Sequence, residues 1–233
     1  MNYLKNIIYS LYFFSNLIIW SKVFKIHPNK NNTNLKYVTS KKNLYVLRKL
    51  VKELNPKKIV EFGSGVGFSS EAIIDEMSKD SHFIGLENSE QCINLLAEKF
   101  KKINKNFEFK KSDIEISKDK ITQETLIYKL TKKMNFSDID LIYIDGPSFF
   151  LDDKKNFYSN LIRGDIFYIY DQLKPGCTII MDGSIITQKN IIRFFKSIKF
   201  LGVFKTFVFK ITDKGKLFDT TYAKLKKWGY IQN

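Results

Sequence analysis

Between residues 57 and 183, short apolar runs alternate with longer amphipathic stretches. KKIVEFG (57–63), HFIGLEN (82–88), NFEFKKSD (106–113), DIDLIYIDG (138–146) and CTIIMDG (177–183) are dense in β-branched and aromatic residues and close on Gly, Asn or Asp, which predicts five strands. Helical spacing of apolar positions occupies the intervals near 67–79, 89–103, 119–134 and 157–173, and recurs over 187–198. Such alternation predicts an α/β, Rossmann-like, doubly wound and mostly parallel sheet with helices on both faces. Ahead of it, Leu44, Leu47, Leu50, Val51 and Leu54 fall on one stripe of a helix over 42–54, and Asn55-Pro56 ends it. Behind it, FLGVFKTFVFKITDKG (200–215) and the residues after it read as two further strands joined by an Asp213-Lys214-Gly215 turn, bringing the sheet to seven.

The pattern changes in the first forty residues. LKNIIYSLYFFSNLIIW (4–20) is apolar on nearly every helical face, too interrupted for a transmembrane span and without the cleavage site of a signal peptide. Two readings stand: a helix packed on the domain or on a dimer mate, and an interfacial membrane anchor. HPNKNNTNLKYVTSKK (27–42) is polar and reads as a linker or a mobile lid. The expected organisation is therefore residues 1–41 as an apolar helix and polar linker, and residues 42–233 as one ligand-binding domain.

Composition adjusts this picture in three places. A hydrophobic fraction of 44% with 21 Phe argues for a packed core and against disorder. A net charge of +15 invites a nucleic-acid partner, but the 39 basic residues include only Arg48, Arg163 and Arg193 as arginines, and bidentate readout of phosphate or guanine favours Arg. Nucleic acid is thus set aside, while an anionic substrate or an acidic membrane face is still attracted by the charge. Cys92 and Cys177 form no metal spacing or disulfide framework, which fits a reducing cytoplasm, at the inner membrane face if residues 4–20 anchor there. Two histidines are too few for a His-rich metal site.

The candidate chemistry sits at the strand ends. The first strand runs into Val60-Glu61-Phe62-Gly63-Ser64-Gly65-Val66-Gly67, an E-x-G-x-G-x-G spacing that permits a sharp strand-to-helix turn and close backbone approach to a ligand. Phe68 stands where a dinucleotide fold would carry its third glycine. Glu87, 20 residues past Gly67, ends the second strand, where a carboxylate accepts from ribose hydroxyls. Asp113, Asp145 and Asp182 end the third, fourth and fifth. One such acid is ordinarily a turn or cap residue; four at successive strand ends point to a ligand rim. The sign of the rim also discriminates. A pyrophosphate wants donors and positive charge there, whereas a cofactor bearing a sulfonium and an ammonium group tolerates carboxylates.

With these residues in view, the chain resembles the class I S-adenosylmethionine-dependent methyltransferases over residues 57–183, through VEFGSGVG, GLENSE, SD at 112–113, DLIYIDGP and LKPGCTIIMDG. The resemblance implies that Gly63, Ser64, Gly65 and Gly67 line the methionine moiety with Glu61 close by, that Glu87 holds the ribose and Asp113 the adenine, and that Asp145 faces the transferring methyl group. IDGP followed by an Arg and LKPGxxxxxD resembles the branch acting on hydroxyls of small molecules or sugars, and the Asn/Asp-Pro-Pro-Tyr signature of amino-methylating nucleic-acid enzymes is absent. Asp145 and Asp182 also match two ligands of the metal-dependent catechol-type branch, but Gly183 stands where the third would be, so a divalent metal is not the leading expectation. Where many relatives carry a His after IDG, this chain reads Pro-Ser-Phe-Phe.

Methyl transfer to a hydroxyl requires an in-line approach and usually a base within hydrogen-bond reach. His82 opens the second strand at the far end of the sheet and reads as structural; His27 lies in the linker. Asp145 and Asp182 are the candidates for the base. Arg163 and Asp165, placed by periodicity in a helix, are read as pairing with each other, with an acidic acceptor as the alternative. Residues 147–157 offer room for an acceptor pocket or form an ordinary loop. The expected partner is a small-molecule or glycan acceptor, with a homo-oligomer as a further association. Two rivals are a NAD- or nucleotide-sugar-binding Rossmann enzyme and a non-catalytic member keeping the fold as a binding module.

Overall fold

The computed structural model describes residues 41–117, 124–147, 162–182, 187, 190–191, 198–200 and 206–211. The apolar segment 4–20, the linker with His27, the insertion after Pro147, Gly183 and the Asp213-Lys214-Gly215 turn lie outside the described residues. No helix among the described residues is long and apolar enough to cross a membrane.

Helix α1 (Lys41–Leu54) buries Leu44, Leu47 and Val51 along one face with Leu50 partly buried beside them, while Leu54, expected on the same stripe, is exposed. Asn55 ends it with a positive φ of 45° and an N–H bonded to the Val51 carbonyl, and Pro56 forbids continuation. There follow β1 (Lys58–Phe62), α2 (Phe68–Glu76), β2 (His82–Glu87), α3 (Glu90–Phe100), β3 (Phe107–Lys111), β4 (Ile114–Ser117), β5 (Thr125–Tyr128), β6 (Leu141–Ile144), β7 (Ile162–Arg163), α4 (Asp165–Ile169), β8 (Thr178–Asp182), β9 (Ile198–Phe200) and β10 (Thr206–Ile211). The main sheet has seven strands in the order β3-β2-β1-β6-β8-β10-β9. Its first five are parallel, and β10 runs antiparallel to both neighbours.

Because side chains alternate across a strand, the sheet carries two cores. Ile59, Leu141, Tyr143 and Ile180 face α1, α2 and α3, meeting Leu47, Val51, Ile73, Ile74, Leu96 and Phe100. Val60, Phe62, Ile142, Ile144, Ile179 and Met181 face the opposite side, against Tyr128, Phe136, Ile166 and Ile169. The strands are apolar on both faces because both are covered, which is the signature of a parallel sheet.

Two expectations need correcting. The helix expected over 119–134 is absent from its described part: β5 occupies Thr125–Tyr128 and a single 3-10 turn covers Lys129–Lys132. All four residues of β5 are buried, and a short run buried on both faces is a case in which periodicity cannot separate a strand from a buried helix. In the described part of the helix expected over 157–173, Ile162–Arg163 is extended as β7, and helix is confined to α4 and a 3-10 turn at Tyr170–Gln172. These extended pieces form a second sheet, β4-β5-β7, whose Tyr128 ring stacks on Phe62 at 6.2 Å. Of the two closing strands expected, the first is β10 (Thr206–Ile211), which pairs antiparallel with β9 (Ile198–Phe200), while the second, beyond the Asp213-Lys214-Gly215 turn, lies outside the described residues.

Candidate active site

Strand order reverses direction at β1, with β2 and β3 on one side and β6 and β8 on the other, and a crevice opens beyond the strand ends at such a switch point. Here the β1 and β6 ends are in backbone contact. Asp145 and Gly146 both donate their N–H to the Phe62 carbonyl, at 2.9 and 2.6 Å. A Cβ on Gly63 would lie 2.5 Å from the Gly146 Cα, and Gly63 also holds φ at +91°. Glycine at 63 is therefore required twice, by contact and by conformation. A Cβ on Gly65 would instead meet nothing within 4 Å, so this stretch of the loop borders open space where a ligand can approach.

Glu61 lies beneath the loop, fully buried. Its Oε2 accepts from the Ser64 hydroxyl at 2.8 Å and from the Ser70 hydroxyl in the first turn of α2 at 2.5 Å, while Oε1 has no partner of hydrogen-bonding geometry. Burial pushes the Glu61 carboxyl up to about 7 from its ordinary 4.5; the Ser69, Ser70 and Ser64 hydroxyls oppose the shift and the Glu87 charge adds to it. On the other face, burial also raises Asp165 to about 7, against bonds from the Thr131 hydroxyl and the Tyr128 N–H. Both acids hold their proton more tightly folded than unfolded, so their stabilising effect is complete below the unfolded values and is lost as pH rises through about 7. The urea midpoint is expected to fall across that window. In Glu61→Gln the fall should be shallower by about 3 kcal/mol, at 1.36 kcal/mol per pKa unit; an unchanged slope would remove Glu61 as its source.

Glu87 joins the second strand to the loop. Its Oε2 accepts the Gly65 N–H at 2.7 Å, and its Oε1 accepts the Asn88 and Ser89 N–H groups at 2.9 Å each. A carboxylate offers about four acceptor positions, so a single further position, on Oε2, is open to a hydroxyl. Beside it, Ser112 donates its N–H to the Glu87 carbonyl at 2.8 Å. Asp113 follows on the same rim, exposed and flanked by Lys129 at 3.4 Å and Lys111 at 4.0 Å.

Asp145 and Asp182 end β6 and β8, and one side chain bridges them. Arg163 Nη1 lies 3.7 Å from Asp145 Oδ1 and donates to the Asp182 carbonyl at 2.8 Å. The Asp182 carboxylate is engaged otherwise: Oδ1 accepts from Asn43 Nδ2 at 2.7 Å, and Oδ2 faces the Tyr143 hydroxyl at 3.4 Å. The expected Arg163–Asp165 pair is thus replaced, since Arg163 reaches Asp145 while Asp165 serves β5. Among the described residues no group of three or more His, Cys, Asp or Glu is placed to hold a metal ion. His82 opens β2 at the opposite edge of the sheet, facing Glu108 at 3.6 Å.

All the named strand-end acids and the glycine loop therefore lie along one rim, with direct bonds between Glu87 and Gly65 and a shared arginine joining Asp145 to the Asp182 main chain. Sequence reading missed Arg163 as that joint, together with Asn43 and Tyr143. A signal existed for Arg163 alone, as one of three arginines among 39 basic residues.

No protein-family model matches the chain, and no curated relative does. Solved structures do share its architecture. The SAH-bound methyltransferase PaMTH1 of Podospora anserina is similar at 17% identity and a TM-score of 0.57, over 78% of this chain and 83% of that one. The O-methyltransferase of Bacillus cereus in complex with SAH is similar at 17% identity and a TM-score of 0.53, over 76% and 84%. The O-methyltransferase TomG of Streptomyces achromogenes, involved in tomaymycin synthesis and in complex with SAM, is similar at 11% identity and a TM-score of 0.53, over 76% and 82%. The chain has the Rossmann-like fold of these class I methyltransferases, as its motifs lead one to expect.

Proposed function

We propose that the chain transfers the methyl group of S-adenosylmethionine to the hydroxyl of a small acceptor, with a sugar or glycan as the finer candidate. The observation that carries this reading is the carboxylate rim at the switch point, Glu87 on the loop side and Asp145 and Asp182 on the acceptor side, with Glu61 buried beneath the loop. Such a rim repels a pyrophosphate and suits a cofactor carrying positive charge. The residues present fit that cofactor: Glu87 keeps one acceptor position on Oε2, and the space beside Gly65 admits a ligand. That the solved structures of this fold include SAH and SAM complexes supports the same reading.

When bound, the cofactor supplies an electrophilic methyl on a sulfonium. The chain's part is positional. Gly63, Ser64, Gly65 and Gly67 shape the wall against the methionine moiety, Glu87 Oε2 accepts a ribose hydroxyl, and Asp113 stands at the adenine end. Holding the acceptor oxygen in line with the methyl carbon supplies much of the rate. Asp145, a quarter exposed at the tip of β6, is the carboxylate assigned to take the acceptor's proton, with Asp182 fixing the neighbouring strand end. Asp145→Asn should lower turnover by about 10²- to 10⁴-fold while S-adenosylhomocysteine still binds. The check is transfer from methyl-labelled S-adenosylmethionine to a panel of hydroxylated acceptors. Full turnover in the variant would remove Asp145 from the role.

Residues 4–20 fall outside the described residues. Their two readings, packing on the domain or a second copy and lying in an anionic membrane face, are separated by deleting residues 1–25 and following sedimentation with anionic vesicles.

A further inference from the structure

We infer that Arg163 supplies, from within the chain, the fixed positive charge on the acceptor side of the rim, and that this side of the site works without a divalent cation. The inference rests on the methyl-transfer reading and adds a positioning residue to it. Arg163 is placed by three elements. Its strand β7 runs parallel to β5, with Leu126 opposite Arg163, and its backbone N–H donates to the Thr187 hydroxyl at 3.0 Å. From there the side chain, 9% exposed, reaches the carboxylate of Asp145 and the carbonyl of Asp182, so one guanidinium clasps the ends of β6 and β8. A planar fork of five donors suits this double engagement better than any other cation a chain can supply.

The same contacts argue against a metal at this place. A hard divalent ion seeks about six oxygen ligands, most of them anionic or carbonyl. Asp145 already faces a guanidinium, and both carboxylate oxygens of Asp182 face donor groups, the Asn43 amide and the Tyr143 phenol. An ion joining Asp145 and Asp182 would have to displace an amide and a phenol and sit against a buried guanidinium. The donor set is thus arranged around an internal cation. Its expected work is to hold Asp145 at a fixed position on the acceptor side and to keep the β6 and β8 tips in register.

The test is a titration of the full chain with Mn²⁺, reading free Mn²⁺ by electron paramagnetic resonance, with saturating S-adenosylhomocysteine bound. The wild type is expected to leave Mn²⁺ free up to millimolar concentration. Arg163→Met, which removes the charge and keeps the bulk, is expected to bind Mn²⁺ at least roughly tenfold more tightly than wild type, because Asp145 loses its counter-charge, and the gain should vanish in Arg163→Met with Asp145→Asn. Stoichiometric Mn²⁺ binding by the wild type, lost in Asp145→Asn, would overturn the inference, as would an Arg163→Met chain that binds S-adenosylhomocysteine normally yet gains no Mn²⁺. The wild-type titration decides the matter even should Arg163→Met fail to fold. Failure of wild type to bind S-adenosylhomocysteine would instead sink the methyl-transfer reading and this inference with it, so the two failures are distinguishable.

Discussion

Gly63→Ala is expected to destabilise the protein by roughly 3 kcal/mol or more and to abolish binding of S-adenosylhomocysteine. The two causes are separate. A Cβ at 63 would stand 2.5 Å from both the Cα and the nitrogen of Gly146, which are backbone atoms and do not rotate away. Over-packing of this kind costs about 1–3 kcal/mol. The φ of +91° adds about 1–2 kcal/mol for any residue with a Cβ. Gly176→Ala provides the control, since Gly176 holds a φ of +89° but a Cβ there would meet nothing within 4 Å. Urea unfolding of both variants should show the smaller loss for Gly176→Ala. Equal losses would mean that the β1 and β6 tips can part easily and that their contact does not set the site.

Glu87→Ala is expected to reduce affinity for S-adenosylhomocysteine by at least about a hundredfold, through two effects that act together. The variant removes the acceptor assigned to a ribose hydroxyl, and hydrogen bonds to a charged group contribute about 1.5–3 kcal/mol. It also frees three N–H groups, those of Gly65, Asn88 and Ser89, so the glycine loop loses its tie to β2. A loop no longer pre-set must be ordered by the ligand, which lowers affinity further. Calorimetric titration reads the affinity, and amide hydrogen exchange at Gly65 reads the tie. Retained affinity with a loosened loop would assign Glu87 to the architecture alone.

What was legible in the sequence is what local chemistry determines. The E-x-G-x-G-x-G turn needs its glycines where the backbone bends, and Glu87 stands one strand away from them, so the loop and its partner could be read from residues 61–87. The parallel strands were legible because each is a short apolar run closed by Gly, Asn or Asp. Residues 119–134 were not, because Thr125–Tyr128 is buried on every side and the short run Leu126-Ile127-Tyr128 carries no period. Arg163 shows the other limit. Asp165, two residues away, offers an obvious partner, but Arg163 sits on β7 while Asp165 opens α4, and their side chains serve different neighbours. The true partner, Asp145, stands 18 positions earlier across an insertion, and nothing local announces the pairing. Asn43 and Tyr143 meet Asp182 only because α1 and β6 converge on β8, a tertiary fact without a sequence motif.

The most direct test of the central claim is calorimetric titration of the wild-type chain with S-adenosylhomocysteine, NAD and UDP-glucose in parallel. The carboxylate rim predicts one site for S-adenosylhomocysteine and no heat from the two pyrophosphate-bearing ligands. Binding of NAD or UDP-glucose with silence toward S-adenosylhomocysteine would contradict the account and return the glycine loop to a nucleotide-binding Rossmann site.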